Sequence, residues 1–406
     1  MTNDWKHARL SSVLMEIIDY RGKAPPKTED GVRLITARNV RFGRLDLTHV
    51  EYIDETKYES WMNRGRPCGT DVLFTTEAPL ANACMFPAQG KFAVGQRIIT
   101  LRPEPSKLDS NYLLNLLLSP LGQELVQRRA TGTTAKGIKS KEFAKIEIPV
   151  PPLEEQLRIG SILSSWDRAL ETVEALIANA RAQKAALMQA LLTGRSRLPG
   201  FAGEWTWTTF SDVFERVRDK NTVGDTNVLT ISAQHGLISQ TEYFNKVVAS
   251  DDVRGYTLLR RGDFAYNKSY SDGYPFGAFK PLDRYDQGIV SSLYICFRLT
   301  GAEHDHDFMR HYFEAGLFNR EVAAIAQEGA RNHGLLNVSV VDFFETSLHT
   351  PSLDEQRAIA AVINDAEAKE RALTLQRDAL REEKAALMQQ LLTGQRRVKV
   401  AEGEGK

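Results

Sequence analysis

The sequence of 406 residues has few cysteines and no long apolar run. Its three cysteines, Cys68, Cys84 and Cys296, lie far apart and form no Cys-x-x-Cys pair, which excludes a disulfide framework and a zinc ribbon and favours a reducing compartment. Nowhere do about eighteen apolar residues follow one another, and the amino-terminal stretch mixes acid and base. The sequence therefore predicts a cytoplasmic protein with no signal peptide and no membrane partner.

The sequence also lacks an excess of charge of either sign. Lysine and arginine together number 52, and aspartate and glutamate also number 52. This balance excludes the global basic excess that is typical of a stand-alone nucleic-acid-binding protein. Affinity for DNA would have to come from local patches or from partner proteins.

Motifs for catalysis are missing as well. Neither Pro25-Pro26 nor Pro151-Pro152 lies in the Asn/Asp-Pro-Pro-aromatic motif of an adenine methyltransferase, and no Gly-x-x-x-x-Gly-Lys-Ser/Thr loop for a nucleotide-driven motor occurs. The run 304–307, His-Asp-His-Asp, resembles a metal cluster but has no matching ligands near it in the sequence. We therefore predict neither a catalytic site nor a metal site.

What the sequence does contain is a long internal repeat. Segments 184–194 and 384–394 are identical at ten of eleven positions, and Leu-Glu-Glu-Gln at 153–156 recurs as Leu-Asp-Glu-Gln at 353–356. An offset of 200 residues indicates duplication of a whole module, a globular part followed by a helix. We predict a first globular domain at 1–150, a helix at 151–200, a second domain at 201–350, a helix at 351–394 and a disordered tail at 395–406.

Both predicted helices carry apolar residues at the heptad spacing of a coiled coil. The residues predicted to pair the helices are Ile159, Trp166, Val173 and Leu187 in the first and Ile359, Leu373, Leu380 and Leu387 in the second. A rod of about 40 residues is roughly 60 Å long and needs a partner along this seam. We predict that the two helices of one chain pair as an antiparallel coiled coil with pseudo-two-fold symmetry; a coiled coil between two chains is the alternative.

Each globular domain mixes short β-like runs with helix, which indicates the α+β class. One amphipathic helix is predicted over 112–129 in the first domain and one over 308–327 in the second. The segment 128–145 that follows the first of these has six basic side chains against one acid in a Gly/Thr-rich loop. Such a loop is suited to binding phosphates, and a solvated charged loop is the alternative.

The order of domain, heptad helix, domain and heptad helix resembles the specificity (S) subunit of type I restriction-modification systems. The motifs that carry the resemblance are Ile-Glu-Ile-Pro-Val-Pro-Pro-Leu-Glu-Glu-Gln at 146–156 with its weaker twin ending at 351–356, the Leu-Met-Gln-x-Leu-Leu-Thr-Gly helix ends, and the Trp-x4-Leu/Phe-x2-Val opening of each half. The resemblance covers nearly the whole chain. It implies two α/β target recognition domains, each reading one half of a bipartite, asymmetric site in double-stranded DNA.

The resemblance also implies what the chain would leave to its partners. The helices would set the spacing of the half-sites and dock two methyltransferase (M) subunits, while the chain itself would be non-catalytic and bind no cofactor. S-adenosylmethionine would belong to the M subunits, and ATP with magnesium to motor-nuclease (R) subunits. A coiled-coil scaffold without a DNA role and a self-sufficient nucleic-acid enzyme are the alternative functions.

Polar and basic residues in corresponding loops of the two halves are the candidates for DNA contact. In the first domain they are Arg38, Asn39, Thr75, Thr76, Thr131, Thr133, Thr134, Lys136, Lys139 and Lys141. In the second domain they are Gln234, His235, Asn267, Lys268, Ser269, Tyr270, Arg331, Asn332 and His333. The second set has lost most of the positive charge, so the sequence predicts unequal contributions of the two halves to affinity.

Overall fold

The structure is a computed structural model that describes residues 5–20, 24–132, 136–232, 235–244, 252–269, 273–326 and 336–398. The chain divides into two compact units. Unit 1 contains Met1–Ala175 and Leu375–Lys406, and unit 2 contains Leu176–Thr374. Each unit therefore combines one globular domain with a segment of each long helix.

The strands of unit 1 are β1 (Lys6–Arg9), β2 (Leu14–Asp19), β3 (Lys27–Thr28), β4 (Val32–Ile35), β5 (Tyr52–Ile53), β6 (Val72–Thr75), β7 (Ala83–Met85), β8 (Phe92–Val94), β9 (Ile98–Pro103) and β10 (Glu147–Val150). Its helices are α1 (Leu10–Val13), α2 (Tyr58–Trp61), α3 (Ser110–Leu118), α4 (Pro120–Gln127), α5 (Ser140–Phe143), the first part of α6 (Leu153–Leu191) and the last part of α12 (Leu353–Leu392). A 3-10 turn spans Glu55–Lys57.

Two four-stranded sheets position the loops of unit 1. Strands β2, β9, β6 and β7 form an antiparallel sheet, and β3, β5, β4 and β8 form a second sheet in which β4 and β8 are parallel. The first sheet packs against a leucine-rich core that includes Leu113 and Leu116 of α3. Ile159 of α6 belongs to the same core, which fixes the start of the long helix against the domain.

The strands of unit 2 are β11 (Thr206–Thr209), β12 (Phe214–Arg216), β13 (Leu229–Ser232), β14 (Gly236–Ser239), β15 (Thr257–Arg260), β16 (Phe264–Asn267), β17 (Ala278–Pro281), β18 (Gln287–Val290), β19 (Ile295–Leu299) and β20 (Ser347–Thr350). Its helices are the remainder of α6, α7 (Phe210–Val213), α8 (Gln240–Phe244), α9 (His306–Glu314), α10 (Asn319–Ile325), α11 (Val340–Phe344) and the first part of α12 (Leu353–Leu392).

Unit 2 repeats the antiparallel sheet of unit 1 around a different core. Strands β12, β19, β16 and β17 correspond to β2, β9, β6 and β7. The core between this sheet and the helices is aromatic: Phe210 lies 4.8 Å from Phe343, and Phe264 stacks on Phe297 at 5.5 Å, measured between ring centroids. Leucines in one unit and phenylalanines in the other fill the same frame, so the duplicated domains have diverged in their cores as well as their surfaces.

The helix predicted over 112–129 is two helices in the structure, α3 and α4. Ser119 caps α4 and Pro120 is its first residue, where the missing N–H costs nothing. The helix predicted over 308–327 is likewise divided into α9 and α10, because Gly316 takes a φ of +70° that ends a helix. The prediction of single helices is wrong at both places, since the apolar periodicity continued across the breaks.

The predicted antiparallel pairing of the long helices is confirmed within each unit. In unit 1 Glu174 pairs with Arg381 at 2.6 Å and Asp167 pairs with Lys384. The earlier residue of α6 thus contacts the later residue of α12, as in an antiparallel pair. The eight predicted pairing residues are all buried or half-buried. No helix in the part of the chain that the structure describes is long and apolar enough to cross a membrane.

In unit 2 the polar residue Glu370 of α12 faces cations of α6. Glu370 accepts ion pairs from Arg181 and from Lys184, both at 2.7 Å. Burial alone would raise the pKa of Glu370, but the hydrogen bonds from Lys184 and Arg181 outweigh it and hold the pKa below its ordinary value. A charged group at this position is therefore satisfied by cations of the partner helix.

The residues that follow α12 form a clasp in unit 1. Arg397 donates from Nε and Nη2 to the carboxylate of Glu155, at 2.8 Å each, and its guanidinium lies 5.6 Å from the ring centroid of Trp5. Glu155 is 2% exposed and also accepts from Trp5 Nε1 at 3.2 Å. Arg397 and Val398, which lie in the segment that the sequence assigns to a disordered tail, are thus held by a buried carboxylate; residues 399–406 lie outside the described residues.

Unit 2 has the same clasp. Its arginine, Arg197, precedes Arg397 by 200 residues, and its glutamate, Glu355, follows Glu155 by 200 residues. Arg197 donates from Nε and Nη2 to Glu355 at 2.5 and 2.6 Å, and lies 6.0 Å from the ring centroid of Trp205. Glu355 is 2% exposed. The repeated glutamates and tryptophans are therefore explained by packing at the start of each long helix.

The glutamine that follows each clasp glutamate ties the helix to its domain. Gln356 accepts from Asp305 N at 2.9 Å and donates to Pro351 O at 2.9 Å, and Gln156 makes the corresponding bonds in unit 1. The carboxylate of Asp305 caps α9 by accepting from Phe308 N. The His-Asp-His-Asp run is thus the beginning of a helix, with its first aspartate used as a cap.

Candidate nucleic-acid interface

Four segments of unit 1 meet around the end of β6. The bridge between Glu77 and Gly137 places segment 131–141 beside segment 76–82, and Ile138 N donates to Thr76 O at 3.0 Å. Thr76 N donates to Arg97 O at 3.0 Å, which adds the turn 95–97. Segment 36–49 joins through Asn82 Nδ2, which donates to Val40 O at 3.0 Å. We call the described parts of these four segments the loop face.

Asn39 shapes the loop face from inside. It is 1% exposed, its Oδ1 accepts from the N–H and hydroxyl of Thr36, and its Nδ2 donates to the carbonyls of Asp46 and His49. Every polar atom of the amide is therefore used within the protein. The DNA contact predicted for Asn39 is corrected to a positioning role, while the neighbouring Arg38 is exposed.

Thr75 and Thr76 are buried as well. Thr75 Oγ1 donates to Asn82 O and accepts from Asn82 N, and Thr76 Oγ1 donates to Arg97 O at 3.2 Å. Thr75 ends β6, an inner strand whose side chains are all buried, and Thr76 follows it and is 2% exposed, so neither hydroxyl is presented to solvent. These two predicted contacts are corrected in the same way: the hydroxyls fix the loops that follow.

The lysines predicted from the sequence are placed on the surface of the loop face. Lys136, Lys139 and Lys141 are exposed, and none of them forms an ion pair among the described residues. Thr131 is exposed beside them, whereas Thr133 and Thr134 lie outside the described residues. The loop face thus offers positive charge that the protein itself does not neutralise.

The corresponding loops of unit 2 carry amide and hydroxyl groups. Asn267, Lys268 and Ser269 are half-buried at the end of β16, and Leu336 N donates to Lys268 O at 3.0 Å, as Ile138 does to Thr76 in unit 1. His235 is exposed at the turn between β13 and β14. The other predicted residues, Gln234, Tyr270, Arg331, Asn332 and His333, lie outside the described residues.

A cavity of about 1270 Å³ in unit 2 extends from the His235 turn to α9 and the long helices. The cations that line it are mostly neutralised: Lys280 pairs with Glu314, and Arg310 pairs with Glu367 at 2.9 Å. Little free charge therefore remains for a ligand. We assign the cavity no binding role.

Two of the three thiols are buried and chemically inert. Burial raises the pKa of Cys84 to about 12 and that of Cys296 to about 12. Both thiols are therefore protonated at neutral pH, and neither is a nucleophile in this form.

A polar network joins α9 to α12 in unit 2. His311 is 2% exposed with Nε2 2.7 Å from Asn364 Oδ1, and Arg310 donates to the same oxygen at 2.8 Å. Arg310 Nη2, which can only donate, also lies 3.1 Å from His311 Nε2, but the shorter contact, to the acceptor Asn364 Oδ1, favours a donating Nε2. Burial, followed by the charge of Arg310, lowers the pKa of His311, so its ring is neutral at neutral pH. Asn115 takes the corresponding position in α3, six residues after the capping aspartate.

We expect the substitution His311→Asn to weaken the pH dependence of stability. A lowered pKa in the folded state means that the unfolded chain takes up the proton more readily, so His311 destabilises unit 2 as the pH falls below about 6.5. Asparagine keeps a donor for Asn364 and does not titrate. Urea unfolding from pH 7.5 to 5 should show the variant losing less stability, by at most about 1.4 kcal/mol per pH unit. Equal slopes for both proteins would contradict this assignment.

The comparisons with known proteins agree with this architecture. Residues 65–180 match the family model described as the type I restriction modification DNA specificity domain. The putative type I restriction enzyme MjaX specificity subunit of Methanocaldococcus jannaschii is 25% identical over 197 residues, which cover 47% of this chain and 46% of the relative. The MjaVIII specificity subunit of the same organism is 24% identical over 211 residues, or 48% and 47% of the two chains. The chain thus spans about half the length of the curated relatives it matches.

Solved structures share the fold over a longer stretch. The crystal structure of a type I restriction-modification system S subunit from M. genitalium superposes with a TM-score of 0.59 at 15% identity, covering 96% of each chain. A chain from a structural study of complex assembly and conformational transition of the type I R-M system gives 0.54 at 16% identity, covering 96% and 97%. The resemblance to type I specificity subunits and the predicted fold class are confirmed. The matched residues 65–180 include three of the four segments of the loop face.

Proposed function

We propose that this chain, which carries a type I restriction-modification DNA specificity domain at residues 65–180, is the DNA-reading subunit of such a system. The observation that carries the proposal is the repeat of one frame with two unlike surfaces. Both units have the same sheet and clasp, but their accessible polar groups differ: unit 1 has the exposed lysines Lys136 and Lys139, whereas unit 2 has the half-buried Asn267 and Ser269 and the exposed His235. Unlike side chains contact unlike bases, so each unit would read a different half of a bipartite, asymmetric site.

The exposed faces of the repeated helix ends support docking of two identical partners. The residues that are both identical in the repeat and exposed are Ala185, Ala186 and Gln189 in α6 and Ala385, Ala386 and Gln389 in α12. Packing within the chain explains identity at buried positions but not at exposed ones. Two M subunits would therefore bind one to each copy of this surface, and the paired helices would set the spacing of the half-sites.

In this proposal the chain is a non-catalytic subunit. The M subunits would bring S-adenosylmethionine and the methylation of adenine, and R subunits would bring ATP with magnesium, in the cytoplasm. The neutral net charge of the chain fits this division, because much of the affinity for DNA would come from the partners.

The proposal is tested by selecting bound duplexes from a random DNA library. We expect the full chain alone to bind weakly and without selection, and the chain co-expressed with the M subunits of its own host to enrich a two-part sequence. M subunits without the chain are the control. Methylation by the isolated chain would favour the self-sufficient enzyme, and an assembly that binds without enriching any sequence would favour the scaffold.

A further inference from the structure

Arg97 occupies a backbone conformation that arginine rarely adopts. It ends the turn between β8 and β9 with a φ of +73°, in the left-handed region that normally favours glycine. The conformation is held because both the N–H and the hydroxyl of Thr76 donate to Arg97 O, at 3.0 and 3.2 Å. A side chain is thus kept at a position where glycine would be less strained, and strain of this kind is common at functional sites.

The guanidinium of Arg97 is exposed and held by a carboxylate. Its Nε lies 3.1 Å from Glu77 Oε1, and the two side chains are 54% and 49% exposed. In the described part of the chain the two terminal nitrogens of Arg97 form no hydrogen bond. The carboxylate attracts the guanidinium from its Nε side and leaves its outer N–H groups available to a ligand.

The pair lies within the loop face. Glu77 is bridged through its backbone to Gly137, which stands between Lys136 and Lys139 along the chain. Lysines on a surface that binds DNA neutralise phosphates, but Glu77 would repel them. A half-exposed carboxylate in this place is best explained by its effect on Arg97.

We propose that Arg97 reads a guanine in the half-site of unit 1 and that Glu77 is its positioning residue, an inference that rests on the proposed function. Arginine donates two parallel hydrogen bonds to guanine O6 and N7 in the major groove, and this contact requires a restrained, planar donor pair. By strand register, the residue of unit 2 that corresponds to Arg97 is Leu293, which is 61% exposed. Guanine reading at this corner therefore belongs to unit 1 alone.

The test uses the full chain assembled with its M subunits and the duplex that the wild-type assembly selects. The probe is 7-deazaguanine, which lacks the N7 acceptor, placed at each guanine of the half-site in turn. We expect one position at which the probe lowers wild-type affinity on the order of tenfold. Arg97→Gly removes the side chain and should bind probe and guanine equally. Arg97→Lys keeps the charge without the planar donor pair and should discriminate between them less than the wild type does.

Two further measurements separate base reading from an effect on folding. Arg97→Gly relieves the left-handed strain, so its midpoint of thermal unfolding should be unchanged or higher while guanine discrimination is lost. Glu77→Gln should reduce the preference for guanine over other bases at that position without weakening binding to random duplexes, because it removes a negative charge. A merely structural Glu77 would leave that preference unchanged.

Other outcomes would overturn the inference. If Arg97→Gly still discriminates guanine from the probe and lowers only the salt dependence of binding, Arg97 contacts a phosphate. A wild-type assembly that selects no sequence would reject the proposed function. A wild-type assembly and an Arg97→Gly assembly that select the same sequence would reject only the reading by Arg97.

Discussion

Removal of residues 395–406 should lower the free energy of unfolding of unit 1 by about 3 kcal/mol, whereas removal of 399–406 should change it little. The longer deletion takes away Arg397 and leaves the carboxylate of Glu155, which is 2% exposed, without its cation. The effect is placed at the lower end of the range for buried pairs because the Arg397 side chain is 47% exposed. Val398 N, which donates to Glu155 at 3.3 Å, is lost in the same deletion.

Urea unfolding followed by amide hydrogen exchange would measure this effect and assign it to a unit. Protection should fall in β1, β10 and the start of α6, which adjoin the clasp, and the substitution Arg397→Ala should reproduce most of the loss. Arg197→Ala is the matched control and should destabilise unit 2 instead. If the proteins lacking 395–406 and 399–406 have equal free energies of unfolding, the clasp does not stabilise unit 1.

Replacing Lys136 and Lys139 by alanine should weaken DNA binding for every sequence and make it less sensitive to salt. Each lost phosphate contact reduces the slope of log affinity against log salt by about 0.9, so the pair should reduce it by about 1.8. The advantage of the wild type over the variant should therefore shrink about tenfold between roughly 50 and 200 mM salt. Both side chains are exposed and carry no ion pair among the described residues, so folding should be unaffected.

This prediction is measured by titrating fluorescent duplexes with the assembled enzyme at several salt concentrations. Lys145→Ala is the control, because Lys145 pairs with Glu142 at 2.7 Å and is therefore less available to a phosphate than the unpaired lysines. A changed base preference with an unchanged salt slope would show that Lys136 or Lys139 contacts bases. If neither the salt slope nor the base preference changes, segment 128–145 is a solvated charged loop that does not contact DNA.

The candidate site was only partly predictable from the sequence. A Gly/Thr-rich segment with six cations is visible locally, and the structure exposes Lys136, Lys139 and Lys141. Thr75 and Thr76 are also polar, but they lie at the end of an inner strand and just after it, and their hydroxyls are buried and bonded to the backbone. Polarity alone does not distinguish a residue that contacts a ligand from one that satisfies the backbone.

The sequence by itself determined the duplication and the long helices. The helices begin at Leu153 and Leu353 and end at Leu191 and Leu392, within the predicted segments, because heptad spacing, prolines and glycines are local signals. Their antiparallel pairing followed from the seams and the length of chain between them. Only the tertiary structure decided which polar groups are buried and which charges meet.

Two pairs of residues show why. Arg397 and Glu155 are 242 positions apart, and Arg97 meets Glu77 only because β6 and β9 are neighbours in one sheet. Such contacts depend on which strands pair and on which distant segments pack together. The sequence around each charged residue does not identify its partner. The duplicated domains and the long helices could therefore be predicted from local periodicity. The clasp and the position of the Arg97 guanidinium at the loop face result from long-range packing.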